Sequence, residues 1–484
     1  MRRLDQLTFT RFVAAFSVLL FHGGNQVFPF YLFPLDPLLT SGKTAVSYFF
    51  VLSGFVMALV YHRPDRRFDL RGFWTARFSR IYPVYLLAFV LTCVYYIEII
   101  SKVKSPKIWA NLLLYQAWIP SYSQSYNMAA WSLSVEAFFY ILFPLVALVL
   151  RQLPVRRVIA LSIGFWVLST VIHSLLYFRL MPGAELLLDY FPLFHLSAFL
   201  LGVAGGVWYL SEASQQQTGP KISLGLLLLG LSLISLAMIG YKVSPRLYSG
   251  LTLDVGLLAP FFLVVILALA MDNSRLSGWL SGPAMVLLGD ASYALYILHV
   301  PVRWLVERSL DLAGIAVAFP MMYAIYMPLM VLLSIGVFVF IERPARDWIR
   351  EHMDRLPLIL LDLGLIAAGI WAGFVLRLRA QVADFPLTET FALRTGLVLY
   401  FLALVAARSY RGYGVAWKSL VPAVAAGSLA LTVLMYYAWK VGWVEAFPRA
   451  ALLLGAALSL GLMLGSRYLL RLWRPRGQLA GEGT

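Results

Sequence analysis

Two residues of opposite chemical habit to their surroundings, Arg11 and His22, lie eleven positions apart in the otherwise apolar stretch Leu4-Asp5-Gln6-Leu7-Thr8-Phe9-Thr10-Arg11-Phe12-Val13-Ala14-Ala15-Phe16-Ser17-Val18-Leu19-Leu20-Phe21-His22. On an α-helix eleven residues rise about 16 Å and end about 20° away from a whole number of turns. Both side chains therefore fall on one stripe, the guanidinium near one membrane surface and the imidazole deeper. A charged centre in a spanning helix costs about 2.5–3.5 kcal/mol by insertion scales, so such groups face a bundle interior or a water-filled cavity. Two readings follow: a structural polar contact between helices, or a polar channel containing an imidazole that handles protons.

Further ionisable groups are spaced in ways that suit chemistry. Arg77 and Arg80 are three apart at the mouth of an apolar helix and point from nearly the same face. Paired guanidinium forks receive phosphates, and they also anchor a loop to anionic lipid. Glu136, in Trp131-Ser132-Leu133-Ser134-Val135-Glu136, is expected at a membrane depth similar to that of His22. There it could orient or accept from the imidazole, or serve as a structural hydrogen-bond partner. Ser53, next to Gly54 among bulky aromatics, is placed for close helix packing or for lining a cavity. His299 is a third ionisable group within a span, and Asp290 is a candidate N-cap for that helix. His173 and His195 fall near helix ends, where water makes a histidine unremarkable; Glu342 and Arg343 read as structural.

The elements that position these groups are membrane helices. The chain has 484 residues, 61% hydrophobic and 13% charged, too little polar surface to cover a soluble globule. Apolar runs long enough to span recur near 8–27, 43–62, 80–100, 131–150, 158–178, 190–210, 221–240, 252–271, 288–308, 317–341, 357–376, 396–410, 419–439 and 448–470. The fold class is all-α: a polytopic transmembrane helical bundle. Residues 101–130 read as a re-entrant or interfacial segment, and Phe68, Leu70, Phe73 and Trp74 as a short amphipathic helix. Gly202, Gly205 and Gly206 indicate tight packing. A composition break at 350–357 separates a domain 1–350 from a module 357–484, whose spans are expected to carry no buried acid or histidine.

The net charge of +16 does not signal nucleic-acid binding, because the arginines cluster in alternate loops as the positive-inside rule requires. That bias puts both termini in the cytoplasm. The single cysteine, Cys93, lies in an apolar span and builds no disulfide framework. The first span is read as retained and not as a cleaved signal peptide. Walker, dinucleotide-binding, zinc-protease and serine-elbow motifs are missing, so a metal is not expected.

Several of these stretches together resemble the acyltransferase-3 family of bacterial membrane acyltransferases. They are the Leu4-Asp5 opening with Arg11 and His22, Phe49-Phe50-Val51-Leu52-Ser53-Gly54-Phe55, Arg77-x-x-Arg80 with Ile81-Tyr82-Pro83, Trp131–Glu136, Ser292-Tyr293-Ala294-Leu295-Tyr296-Ile297-Leu298-His299, and Ile341-Glu342-Arg343-Pro344. The resemblance implies a ten-helix core in the bacterial inner membrane that moves an acyl group, commonly acetyl from acetyl-CoA, to a hydroxyl of a glycan or lipid-linked sugar. Carried over by position, Arg11 and His22 are the essential pair and Arg77 and Arg80 contact the acyl-CoA, with Arg11 near the pantetheine path. His22 is then the general base and Glu136 orients it or holds the proton, while Ser53 and His299 are assigned to the substrate. The last four spans, through Leu361-Asp362-Leu363-Gly364-Leu365 and Ser409-Tyr410-Arg411-Gly412, are similar to the membrane anchor of polysaccharide-biosynthesis nucleotide-sugar epimerase/dehydratases. That likeness implies docking to glycan-assembly proteins. The competing functions are a lipid-linked glycan flippase and a non-catalytic scaffold; donor consumption separates them.

Overall fold

The computed structural model describes residues 4–62, 68–95, 106–180, 183–211, 220–244, 252–378, 386–407, 417–440, 444 and 446–473. These residues form helices and connecting turns, as the hydropathy pattern requires, and ten of the described helices are long and apolar enough to cross a membrane. The principal helices are α1 (Gln6–Phe21), α2 (Ala45–Tyr61), α3 (Leu70–Tyr95), α4 (Trp131–Leu150), α5 (Val155–Leu180), α6 (Pro192–Leu210), α7 (Pro220–Val243), α8 (Ala259–Met271), α9 (Pro283–Leu312) and α10 (Phe319–Val337). They belong to a first compact unit, Met1–Trp348; α11 (Leu356–Leu378), α12 (Pro386–Ala406), α13 (Trp417–Lys440) and α14 (Arg449–Trp473) belong to a second, Ile349–Thr484.

Two helix pairs hold the first unit's core, and both use glycine to bring backbones together. Where α2 meets α6, a Cβ on Gly54 would stand 2.0 Å from Phe199 O, and one on Gly202 would stand 1.9 Å from Val51 O. Where α1 meets α9, a Cβ on Gly289 would stand 2.1 Å from Thr8 O. Buried Phe55, Phe139, Phe143 and Phe199 fill the space around the first pair, with Phe139 stacked on Phe199 at 4.6 Å. The outer faces, such as Leu161, Leu168 and Leu175 on α5, stay exposed, as lipid-facing surfaces do.

Several local expectations are corrected. Helix α1 ends at Phe21 and not near residue 27, with His22 as its C-cap. Gly23 follows at φ 146°, and a Cβ there would meet Phe319 Cζ at 2.8 Å and Tyr323 Cε2 at 2.9 Å, so the chain turns at a point only glycine fits. The amphipathic segment from Leu70 is no separate helix but the first turn of α3. Asp290 is not an N-cap: α9 begins seven residues earlier at Pro283, a residue preorganised for a first turn. Between Leu112 and Trp131 the chain makes short 3₁₀ turns and no crossing, in keeping with a re-entrant or interfacial segment. His173 and His195 are buried, 3% and 0% exposed, and hydrogen-bond to the carbonyls of Leu188 and Asp189.

In the second unit α11 and α14 pack through Gly369, Gly373, Gly455 and Ser459. Contrary to expectation, these spans do carry a buried acid. Asp362 is fully buried and accepts from Arg467 Nη2 at 2.5 Å, and Arg467 is 4% exposed. The pairing explains how both charges are tolerated among apolar helices. Ser409-Tyr410-Arg411-Gly412, invoked from the sequence, lies outside the described residues.

Candidate active site

Helices α1, α2, α3, α4 and α9 surround a cavity. Helix α1 supplies Arg11 alone, and the others supply residues largely at helical spacing. On α2 those are Val46, Phe49, Phe50, Leu52, Ser53 and Val56; on α9 they are Ser292, Tyr293 and Tyr296. Arg11, Arg77, Arg80, Glu136 and Ser53, five of the seven residues singled out from sequence, line this one space.

The polar groups differ in how tightly they are held. Arg77 is fastened: its guanidinium lies 5.6 Å from the rings of both Tyr61 and Tyr140, and its Nη2 donates to Tyr61 Oη at 3.3 Å. Glu136 Oε1 accepts from Tyr140 Oη and from Ser53 Oγ, the latter at 3.3 Å. Arg11 and Arg80 have neither a hydrogen bond nor an ion pair with any described residue. Three guanidinium groups face the cavity against one carboxylate. An excess of cations away from bulk water draws an anion, and guanidinium forks match phosphate oxygens two at a time.

His22 and His299 do not line this cavity; they form a second centre at the other end of α1. Their rings are 4.9 Å apart, with His299 Nε2 3.2 Å from His22 Nδ1. The tautomers follow from what each nitrogen faces. His299 Nδ1 lies 2.6 Å from Tyr296 O and His22 Nδ1 lies 2.9 Å from Val18 O. A carbonyl oxygen only accepts, so both Nδ1 atoms carry hydrogen. His299 Nε2 is then a lone pair sharing the His22 Nδ1–H with Val18 O. His22 Nε2 is left bare, with no described partner, on a half-buried ring. This arrangement suits a general base whose second nitrogen is held by an acceptor.

The surrounding helices secure that pair through backbone oxygens. Arg303 Nη1 donates to His22 O at 2.6 Å, Tyr323 Oη to Leu19 O at 2.6 Å, and Tyr326 Oη to His299 O. The partner expected for His22 was Glu136. The structure instead gives Glu136 to Ser53 and Tyr140 among the arginines, and gives His22 to His299. The rings of Phe49 and Tyr296, 5.8 Å apart, stand at the cavity wall, and Tyr296 is 6.2 Å from His299. Tyr61, Tyr140, Tyr296 and Arg303 were not singled out from sequence. The i, i+4 spacings Glu136–Tyr140 and His299–Arg303 were the available signal for two of them. Among the described residues no group of three or more His, Cys, Asp and Glu is placed to hold a metal.

A match to the family model described as an acyltransferase domain runs over residues 4–339. The chain belongs to this acyltransferase family. It is 30% identical over 330 residues to the acyltransferase MdmB of Streptomyces mycarofaciens, covering 61% of this chain and 78% of that protein. It is 27% identical over 330 residues to the O-acetyltransferase OatA of Staphylococcus aureus, covering 64% of this chain. The chain spans about half, 53%, of that relative's length. No solved structure is similar to it at a significant level. The protein is a multi-pass membrane acyltransferase, and both centres described above lie in the matched region.

Proposed function

We propose that this acyltransferase takes an acetyl group, or a related short acyl group, from acyl-CoA and places it on a hydroxyl of a glycan or lipid-linked sugar. The observations that carry the reading are the arginine cavity, in which Arg11 and Arg80 have no hydrogen bond or ion pair with a described residue, and the histidine pair with one bare nitrogen at the other end of α1. The CoA phosphates sit at Arg80 and Arg11, with Arg77 as the fastened third cation. Ser53 and Glu136 hydrogen-bond the amide-bearing arm of the donor. The acceptor hydroxyl gives its proton to His22 Nε2 as its oxygen bonds to the thioester carbonyl carbon. The tetrahedral intermediate then collapses: the C–S bond breaks and the CoA thiolate takes that proton from His22 Nε2. His299 Nε2 accepts from the His22 imidazolium throughout, the part first assigned to Glu136.

The same reading puts the protein in the bacterial plasma membrane with both termini in the cytoplasm. The arginine end of the bundle then meets cytoplasmic acyl-CoA, and anionic lipid surrounds its basic loops. Residues 357–484 serve as a docking module for glycan-assembly proteins. A flippase or a scaffold would consume no donor. In nanodiscs with acetyl-CoA and a sugar acceptor, the wild-type protein is expected to release CoA thiol and acylated sugar. His22→Ala is expected to lose about 10²–10⁴-fold in turnover with its fold intact. Wild-type turnover by folded His22→Ala rejects the assignment of the base.

A further inference from the structure

The histidine pair is not part of the cavity lining. Tyr296 lines the cavity and its ring is 6.2 Å from that of His299; the His299 ring in turn is 4.9 Å from that of His22. Phe49 lines the cavity next to Tyr296, from α2, the two rings edge-on at 5.8 Å. On the proposed reaction a thioester carbonyl must pass this pair of rings to reach His22.

The two rings are not equally free. Tyr296 is 7% exposed; its hydroxyl donates to Ala129 O at 3.1 Å and is paired with Ser132 Oγ at 2.7 Å. Swinging that ring aside strips hydrogen bonds in an apolar surrounding, which is costly. Phe49 is half-buried, lines the cavity and packs on the apolar core, with the rings of Tyr296 and, at 6.3 Å, Tyr48 beside it. A rotamer change of Phe49 breaks no polar contact. Other residues of the cavity lining, Val46, Phe50 and Leu133 among them, are apolar.

We infer that Phe49 is the movable leaf of a constriction, with Tyr296 as its fixed jamb, and that this leaf limits the acyl group to a short chain. The inference rests on the acyl-CoA reading above and adds the determinant of chain length. When Phe49 swings, its ring takes up space within the cavity, among apolar lining residues such as Val46, Phe50 and Leu133. That is the space a longer acyl chain would need while its carbonyl stands at His22. Acetyl requires none of it, whereas hexanoyl competes with the ring directly.

The test compares acetyl-, butyryl- and hexanoyl-CoA as donors for full-length wild-type, Phe49→Leu, Phe49→Ala and Phe49→Trp proteins in nanodiscs. Discrimination in an apolar pocket runs at about 10-fold or more per methylene. Phe49→Ala is expected to raise the hexanoyl-to-acetyl ratio of kcat/KM by at least about 10-fold, with Phe49→Leu between it and wild type. Phe49→Trp is expected to depress acetyl turnover while CoA still binds. Because each ratio is internal to one protein sample, partial loss of folded material leaves it unchanged. A wild-type ratio in both Phe49→Ala and Phe49→Leu overturns the inference while leaving the donor reading intact. If the wild-type protein consumes no acyl-CoA of any length, the donor reading fails, and the inference fails with it.

Discussion

Replacing His299 with Ala removes one of the two acceptors that face the His22 Nδ1–H, the other being Val18 O at 2.9 Å. In the resting enzyme that bond joins neutral groups and contributes little. Once His22 has taken a proton at Nε2 the same N–H belongs to an imidazolium, and a hydrogen bond to a charged group is worth about 1.5–3 kcal/mol. At about 1.4 kcal/mol per tenfold, the loss falls between roughly 10- and 150-fold in kcat. Val18 O still accepts, so the lower end of that range is expected. Donor KM is expected to hold, because His299 does not line the arginine cavity. CoA thiol release in nanodiscs, followed beside thermal unfolding of the same sample, separates kcat from loss of folded protein. His299→Gln supplies a side-chain carbonyl in place of the imidazole lone pair and is expected to recover part of the rate. The double variant His22→Ala with His299→Ala is expected to be no slower than His22→Ala, since His299 acts only through His22. Wild-type kcat in His299→Ala, or a double variant slower by the product of the two single losses, refutes this reasoning.

The two neighbouring arginines should respond differently although sequence spacing makes them look equivalent. Arg80→Ala is expected to weaken CoA binding by about 10-fold or more and to lower thermal stability less than Arg77→Ala does, because Arg80 makes no hydrogen bond or ion pair with a described residue. Arg77→Ala is expected to lower thermal stability as well as binding, because it vacates the site between Tyr61 and Tyr140; titration calorimetry and scanning fluorimetry on both variants check the contrast. In the second unit, Asp362→Ala is expected to cost about 3–5 kcal/mol by stranding the buried Arg467 charge, and Asp362→Leu with Arg467→Met to recover most of it. Denaturation in mixed micelles reads both, and equal instability of the single and double variants would contradict the ion-pair account.

Composition and hydropathy made the helical class and the helix positions legible, because a bilayer admits few alternatives to a helix of spanning length. The site was legible in part. Arg11, Ser53, Arg77, Arg80 and Glu136 were each marked by a polar type at an apolar position, and the structure gathers all five around one cavity. Pairing was harder to read. Membrane depth alone made Glu136 the partner of His22, but depth does not say which face of α4 meets which helix, and Tyr140, one turn on, draws Glu136 to the arginine side. The End of α1 was misjudged for a related reason. Hydropathy continues past Phe21, while the stop is set by Gly23 lying under Phe319 and Tyr323, a contact made three hundred residues away along the chain. Asp362 and Arg467 could be read only as isolated charges in spans, since their meeting depends on how α11 and α14 pack.

Separating the cations from the base has an electrostatic consequence for the proposed reaction. A unit charge 4 Å from His22 would oppose its protonation by about 4 kcal/mol at an effective dielectric of 20. At about 16 Å, the rise of eleven helical residues, the same charge opposes it by about 1 kcal/mol. Three guanidinium groups packed beside the imidazole would therefore make proton uptake prohibitive, whereas at the far end of α1 they oppose it by about 3 kcal/mol together, a quarter as much. Arg303, which does adjoin His22, is paired with Glu307 at 3.5 Å, so its charge is partly offset. The placement of Glu136 follows the same logic, since a carboxylate among Arg11, Arg77 and Arg80 reduces the field that reaches the histidines. A donor suited to such a bundle carries its anionic charge at one end and its reactive carbonyl at the end of a long uncharged arm, and acyl-CoA has that form.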